Sequence, residues 1–473
     1  MNRKSLSRRD FLKWSAAAAG TATLAACGTA PAQPASAPTG AAPADSPQTT
    51  SAPAAASSSL TGQIEYLSYD LGPANASREE IVKVFEAANP GAKVKLTVLP
   101  YGDIWQKLAA QMAAGQPPDV IYGDFSLLRY AQEGELLELD DRFQADLTLT
   151  NPDLFTTNMT DAMQAKYGTN HIHTLILGTW TPILYYNREL FDAAGASYPT
   201  EEWTWEDLRA TAKQLTKPDD NQYGFQFGTT LDQVGWLWWE QKPDDFWATP
   251  QIFPEKTVFN SEPGLGVMSM YYNLGALDKS AIPFEESGTY QVYGGGFGAG
   301  KVAMLNGGDW DAGWGFRELA FTWGMTLIPK MRKDYRPALN TMVPCNVISA
   351  ATKQPDLAWA FIRFMSATTE GQTLIGQGAY ETPVLKEVAH SDAVLKPEWA
   401  APGYDTRVKA AELPGPMYTP YPLNLNLWEF PGKFLDPTVE KLMAGEMTPQ
   451  EAVAYLDQEG IPYFQKQKQE MTG

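Results

Sequence analysis

The sequence predicts an α/β protein of two lobes, each a mainly parallel sheet flanked by helices. Three observations predict it. Short apolar runs with strand periodicity alternate with runs of helical periodicity, a pattern that calls for parallel strands covered by helices. A chain of 473 residues exceeds one ordinary core, since domains run about 100 to 200 residues. The composition, 44% hydrophobic and 12% aromatic, suits a folded body.

The elements follow in order from residue 63. Gln63 to Tyr69 reads as a strand, and Ser77 as the N-cap of a helix with Ile81, Val82, Val84 and Phe85 on its apolar positions, ended by Asn89-Pro90-Gly91. Lys93 to Leu99 alternates as a second strand, 101–114 reads as a helix stopped at Gly115, and Pro118 to Tyr122 as a buried third strand. A second series begins near Ile183, passes through a helix over 205–215 and returns to a strand over 301–305. Trp323 to Ile328 reads as an extended crossover, 347–350 as a strand, 356–366 as a helix, and 437–459 as a helical tail punctuated by Gly445 and Pro449. In such folds ligands are expected at loops following the carboxyl ends of strands, where Asp70, Tyr122 and Asp124 stand.

The N-terminus carries an address. Arg8-Arg9-Asp10-Phe11-Leu12-Lys13, followed by a weakly apolar run too short to span a bilayer, resembles a twin-arginine export signal. Leu24-Ala25-Ala26-Cys27 resembles a lipobox, which implies that Cys27 takes a diacylglycerol thioether and anchors the chain to the outer face of the cytoplasmic membrane. Residues 28–60 are dominated by Ala, Pro, Ser, Thr and Gly and predict a disordered tether behind a signal over 1–27. With Cys27 lipidated, Cys345 has no partner for a disulfide.

Formal net charge is −19, although Arg3, Lys4, Arg8, Arg9 and Lys13 make the first segment basic, so the body is more acidic still. That field repels phosphate backbones and excludes nucleic acid as a partner. The sequence contains no Gly-x-Ser-x-Gly elbow, zinc-type His pair or phosphate loop, so neither a cofactor nor a metal is expected. His171 and His173, beside an apolar segment, read as structural.

Several stretches carry a family resemblance: Phe85 to Gly91, Leu108 to Val120, Leu184 to Phe191, Phe297 to Met304 running into Gly307-Gly308-Asp309-Trp310, Pro355 to Phe361, and Glu370-Gly371. In this order they resemble the sugar-binding extracellular solute-binding proteins of ABC importers, of the maltose-binding type. The resemblance implies a type II periplasmic-binding-protein-like fold, with lobes over 61–175 plus 330–392 and 176–329 plus 393–473, joined by hinge segments near 174–180 and 323–329. It implies a monomeric binder rather than an enzyme, capturing a carbohydrate, by preference an oligosaccharide, between the lobes for the importer's transmembrane subunits.

A sugar presents apolar C–H faces and a rim of hydroxyls, so its site needs flat aromatic rings and carboxylates. With 15 Trp in the chain, the aromatic candidates are Trp310 in its Gly-rich loop, Trp180 after the crossover, Trp428, and Trp236 in Gly235-Trp236-Leu237-Trp238-Trp239. The acidic candidates are Asp309, Asp124, Asp70 and Glu381. Two alternatives stay open. Polyamine-binding proteins also use aromatic boxes lined with acids, and a secreted glycoside hydrolase would need two carboxylates about 5 to 10 Å apart.

Overall fold

The computed structural model describes residues 60–124, 127–156, 169–228, 260, 262–335, 344–413 and 430–472. Cys27, the export signal, the tether, Trp236 and Trp428 lie outside the described residues.

The first βα series matches its periodicity. Strand β1 (Gly62–Tyr69) leads through a short turn to α1 (Asn75–Ala88), then β2 (Ala92–Leu99), α2 (Tyr101–Ala113) and β3 (Val120–Gly123). Helix α1 buries Ile81 and Phe85, and α2 buries Ile104, Leu108 and Met112, each set spaced by four so that one stripe meets the sheet. Helix α1 begins two residues before the expected Ser77. Asp70 Oδ1 accepts hydrogen bonds from Gly72 N (2.8 Å) and Asn75 Nδ2 (2.6 Å), while Asn75 Oδ1 accepts from Leu71 N (3.0 Å), a local turn that winds the first helical residues early. The Ser77 hydroxyl instead donates to the Leu374 carbonyl.

The chain continues through β4 (Thr174–Ile176), β5 (Gly178–Thr179) and β6 (Pro182–Asn187) into α3 (Arg188–Ala194), whose first turn is capped by the Asn187 side chain. Next come α4 (Trp205–Leu215), β7 (Tyr223–Phe227), α5 (Glu262–Tyr272), β8 (Val302–Gly308), α6 (Trp310–Trp314) and β9 (Trp323–Leu327). The last part holds β10 (Cys345–Ile348), α7 (Pro355–Ala367), α8 (Thr369–Gly378), β11 (Thr382–Pro383), α9 (Thr406–Glu412), α10 (Asp436–Ala444) and α11 (Pro449–Thr472).

These strands form a five-stranded sheet in the order β2-β1-β3-β10-β4, a four-stranded sheet in the order β7-β8-β6-β9, and a two-stranded ribbon of β5 and β11. Each large sheet is parallel except for one strand. Strand β10 runs against β3 and β4, and β6 runs against β8 and β9. The reversed strand is in each case the first one after the chain arrives from the other sheet. A strand entering from the connecting edge has to run away from that edge, whereas its parallel neighbours run toward it. The carboxyl ends of β1, β3 and β8 therefore all face the connections, which is where ligands meet open α/β sheets.

Three sequence expectations change. The connections are shorter than 174–180 and 323–329, because β4 and β9 are full members of their sheets, so the first crossing is 177–181 and the second starts after Leu327. The tail is two helices rather than one, separated where Gly445 takes a left-handed φ of 76°, and the second runs on to Thr472. The ribbon of β5 and β11 was not foreseen.

The first sheet's core gathers Tyr66, Leu67, Ile121, Val347, Phe361 and Ile375, and extends to Trp180 and Tyr380. The second sheet is covered on one side by a cluster including Leu184, Phe225, Tyr271 and Leu442, and on the other by one including Tyr185, Phe297 and Phe316. Trp310 and Trp314 follow β8 of the second sheet yet pack against the core of the first.

Candidate functional site

The segment after β8 is shaped by glycine. Tyr185 Oη donates to the Gly308 carbonyl at 2.8 Å, and Gly308 N donates to Asp311 Oδ2 at 2.9 Å, so the loop turns sharply into α6. The Trp310 ring lies directly on the Gly308 backbone, in space that any Cβ would fill. Trp310 and Trp314, four residues apart on one helical face, both remain half-buried.

Around them stands a set of rings from three separate parts of the chain. Trp180 meets Trp310 edge-on at 6.1 Å and Tyr380 at 5.8 Å. Trp314 lies 5.7 Å from Tyr380 and stacks on Tyr293 at 5.8 Å with an interplanar angle of 7°. On the first lobe's side, Tyr69 contacts Tyr122 and Tyr101, each at 5.0 Å, and Tyr101 contacts Trp105 at 5.8 Å. The turn at Gly72 presses against the Trp314 indole, and the hydroxyls of Tyr69 and Tyr380 share a hydrogen bond, so these two groups of rings meet. The indole N–H groups of Trp180 and Trp105 are enclosed and have no hydrogen-bond partner among the described residues. An enclosed donor without an acceptor costs about 1 to 3 kcal/mol, so two at one aromatic cluster call for an explanation.

The sequence-predicted acids divide into two kinds. Asp70 is half-buried at the end of β1 and uses Oδ1 in the turn before α1. Asp124 follows β3, is 6% exposed, and its charge adds to burial in pushing up the Tyr69 hydroxyl and the Cys345 thiol. Asp309 and Glu381, by contrast, are fully enclosed and engaged by protein donors, which is not where a ligand contact would place them. Asp309 Oδ1 accepts from Thr181 N at 2.9 Å, and Oδ2 accepts from Thr382 Oγ1 at 2.5 Å and from Arg407 Nη2 at 3.5 Å. Burial lifts its carboxyl above the ordinary range, with Arg407 opposing that rise from the far end of this distance range. Glu381 Oε1 accepts from Tyr122 Oη at 2.6 Å and from Arg78, and both members of this ion pair are 1% exposed. The Arg78 guanidinium also lies over the Tyr122 ring at 5.0 Å.

The structure thus brings Trp310 and Trp180 into contact, with Asp309 and Glu381 held behind them. Trp314 was missed, although its spacing from Trp310 was a usable signal. Tyr69, Tyr101 and Trp105 were also missed, because nothing local separates them from ordinary core rings. Arg78 and Arg407 gave no sequence signal at all, being joined to their carboxylates across 303 and 98 residues. His171 and His173 keep a structural setting, with His171 Nδ1 3.2 Å from Asp140 and His173 Nδ1 3.1 Å from the Leu137 carbonyl. Among the described residues no group of three or more His, Cys, Asp or Glu is placed to hold a metal ion, and no helix is long and apolar enough to cross a membrane.

Residues 70–372 match the family described as bacterial extracellular solute-binding protein, and residues 5–25 match the twin-arginine translocation signal. A binding protein from Brucella abortus is 31% identical over 152 residues, covering 31% of this chain and 34% of its own length. The mannitol-binding protein of Pseudomonas aeruginosa is 27% identical over 179 residues, covering 35% and 39% respectively. The chain therefore spans little more than a third of the length of the curated relatives it matches. Among solved structures, the ABC substrate-binding protein of Listeria monocytogenes in complex with cycloalternan superposes with a TM-score of 0.69 at 22% identity, covering 84% of this chain and 98% of that one.

Proposed function

The chain belongs to the bacterial extracellular solute-binding protein family, and from that premise we propose that it captures a carbohydrate between its lobes and hands it to the membrane subunits of an ABC importer. The observation that carries this reading is the ring cluster of Trp180, Trp310, Trp314 and Tyr380 beside the connections between the sheets. Such rings offer flat apolar faces to sugar C–H groups. Asp124 and the free side of the Asp70 turn supply acceptors for the hydroxyl rim. Trp236 and Trp428, outside the described residues, remain candidates for the same stacking role.

The relatives support the ligand class. Those named by ligand include one that binds mannitol and one in complex with cycloalternan, a polyol and a saccharide. An oligosaccharide is the preferred ligand, since the rings come from several segments of the chain rather than from one loop. No catalytic step is assigned: Asp309 and Glu381 are occupied by Arg407 and Arg78, and Asp311 by the Tyr293 hydroxyl and Gly308 N. The twin-arginine signal places the working protein outside the cytoplasm, and Cys27 is proposed as the lipid anchor that keeps it at the membrane. The body acts as a monomer, ligand binding more tightly when both lobes touch it and so favouring the closed arrangement.

Calorimetric titration tests this with maltotriose, cycloalternan, mannitol and spermidine against the wild type and Trp310→Ala. The expected result is heat of binding with a saccharide, lost or strongly weakened in the variant. Binding of spermidine alone would overturn the carbohydrate assignment, and unchanged saccharide binding by the variant would overturn the site. Mass spectrometry of the membrane fraction, with Cys27→Ser as control, checks the anchor.

A further inference from the structure

We propose that Tyr293, set against Trp314, is a second stacking platform of the ligand site and selects for saccharides of more than one ring. This role rests on the carbohydrate reading and deepens it, since it names the residue that makes chain length count.

The glycine run Gly294-Gly295-Gly296 follows Tyr293 directly. Gly294 and Gly295 take left-handed φ values of 78° and 55°, a succession that glycine adopts without strain. A Cβ on Gly294 would strike the Phe316 ring, and one on Gly315 would strike the ring of Tyr293 itself. Glycine thus clears the space that the tyrosine needs, and its ring settles against the segment that follows α6.

Three contacts fix it there. The ring lies parallel to Trp314, with 7° between planes and 5.8 Å between centres, and meets Phe316 edge-on at 5.6 Å. Atoms in contact stand about 3.5 to 4 Å apart, so parallel rings with centres 5.8 Å apart are offset and present a stepped apolar surface rather than a closed sandwich. The Tyr293 hydroxyl donates to Asp311 Oδ1, while Asp311 Oδ2 accepts from Gly308 N at 2.9 Å. One carboxylate therefore ties Tyr293 to the same turn on which the Trp310 ring rests.

Exposure separates this ring from its neighbours. Phe297 and Phe316 are fully buried, whereas Tyr293 is 37% exposed. Desolvation by the surrounding atoms is nevertheless the first cause, and the Asp311 carboxylate the next, that hold its hydroxyl well above the ordinary range, with Tyr380 and Tyr185 adding to the rise. A ring open to solvent yet crowded enough to be desolvated at its hydroxyl lines a concavity, as ligand sites do. Trp314, pressed by the Gly72 turn and flanked by Tyr293, leaves the more open face to the tyrosine. Trp314 follows Trp310 by one helical turn, about 6 Å along the axis, so a sugar resting on Trp310 reaches Tyr293 only through a further ring.

Calorimetric titration of the full chain with glucose, mannitol, maltotriose and cycloalternan tests the platform in the wild type, Tyr293→Ala and Tyr293→Phe. Val292→Ala, at the exposed neighbour, serves as control and is expected to match the wild type. The expected result in Tyr293→Ala is a loss of about tenfold for maltotriose or cycloalternan and a change below about twofold for glucose or mannitol. Tyr293→Phe keeps the ring and is expected to stay within about threefold of wild type. A folded Tyr293→Ala with unchanged affinity for the larger saccharides overturns the platform. An equal loss for glucose also overturns it, since Tyr293 would then belong to the first ring. A wild type that takes only the larger saccharides meets the length requirement outright, and the loss with its recovery in Tyr293→Phe then decides. Binding of glucose or mannitol but of neither larger saccharide defeats the platform while leaving the carbohydrate reading in place, and a wild type that takes none of the four defeats both. If Tyr293→Ala does not fold, fluorine NMR of the wild-type chain with one fluorine on the Tyr293 ring decides instead. A resonance moved by maltotriose or cycloalternan and not by glucose upholds the platform, and an unmoved one overturns it.

Discussion

Asp70 and Asp309 occupy equivalent places, each just past the carboxyl end of a parallel strand and each ahead of a helix, yet the protein uses them in opposite ways. Asp70 is half-buried, and its carboxylate accepts from Gly72 and Asn75, two and five residues away. Asp309 is fully buried and reaches Thr181, Thr382 and Arg407, which lie 128, 73 and 98 residues away. The first acid organises its own turn. The second organises the meeting of three distant segments. Sequence position alone distinguishes neither role, because the difference lies in what the rest of the fold packs over the loop.

The largest expected effect follows from that burial. Asp309→Ala leaves Arg407 charged and unpaired in the interior, and removing one partner of a buried pair typically costs about 3 to 5 kcal/mol. Denaturant unfolding of the single variant is expected to show a loss of this size, with most of it recovered when Arg407→Met is added. A loss below about 1 kcal/mol in the single variant would place Asp309 with the local acids, since surface and turn changes fall in that range.

Trp310 comes next. It is half-buried and rests on Gly308, so truncation to Ala removes an accessible face more than a core contact. Saccharide affinity is expected to fall by about 10- to 100-fold, or roughly 1.4 to 2.8 kcal/mol, in calorimetric titration. The unfolding free energy is expected to change by less than that. The reverse ranking, with stability lost and affinity kept, would make Trp310 a core residue that happens to border the connection.

The same contrast explains what could be read in advance. The βα alternation was legible because each strand and helix of the first series buries its own periodic stripe, as Ile81 and Phe85 or Ile104 and Leu108 do. The direction of β6 and β10 was not, because strand reversal records where the chain arrives from rather than any local preference. Strands β5 and β11, two residues each, exist only through pairing with one another. At the site, Trp310 was legible because glycines flank it and a strand precedes it. Arg78 and Arg407 were not, because an arginine bound for the interior looks like any surface arginine until its distant carboxylate is known.

A smaller effect is expected at Asp70. Asp70→Ala removes the acceptor that winds the start of α1, a change worth about 1 kcal/mol of stability. Asp70→Asn keeps an acceptor in that turn and is expected to stay within about 0.5 kcal/mol of wild type. If Asp70 also serves the hydroxyl rim, both variants weaken saccharide binding alike despite their different stabilities. Equal affinities in all three proteins would confine Asp70 to its turn.

The smallest effect concerns pH and uses a third acid with a local role. Asp207 closes a capping box at the start of α4, accepting from the Thr204 hydroxyl at 2.7 Å and from Thr204 N at 2.8 Å. The hydroxyl, then the backbone N–H, hold its carboxyl below the ordinary range. A carboxylate depressed in the folded state stabilises above the unfolded value of about 4 and loses that contribution as pH falls through its lower folded value. Asp309 has the opposite sign: raised by burial, it binds its proton more tightly when folded, so its contribution is present in acid and lost as pH rises through its folded value. Asp207→Asn is therefore expected to cost only a few tenths of a kcal/mol near neutrality, since the group is solvent-screened, and to make the acid limb of stability against pH shallower. Asp309→Asn with Arg407→Met leaves the acid limb as steep as wild type and changes the profile at higher pH. Unfolding midpoints recorded from about pH 3 to pH 7 separate the two, and a parallel response of both variants would mean that burial, rather than the reach of the partners, decides how an acid after a strand or before a helix behaves in this protein.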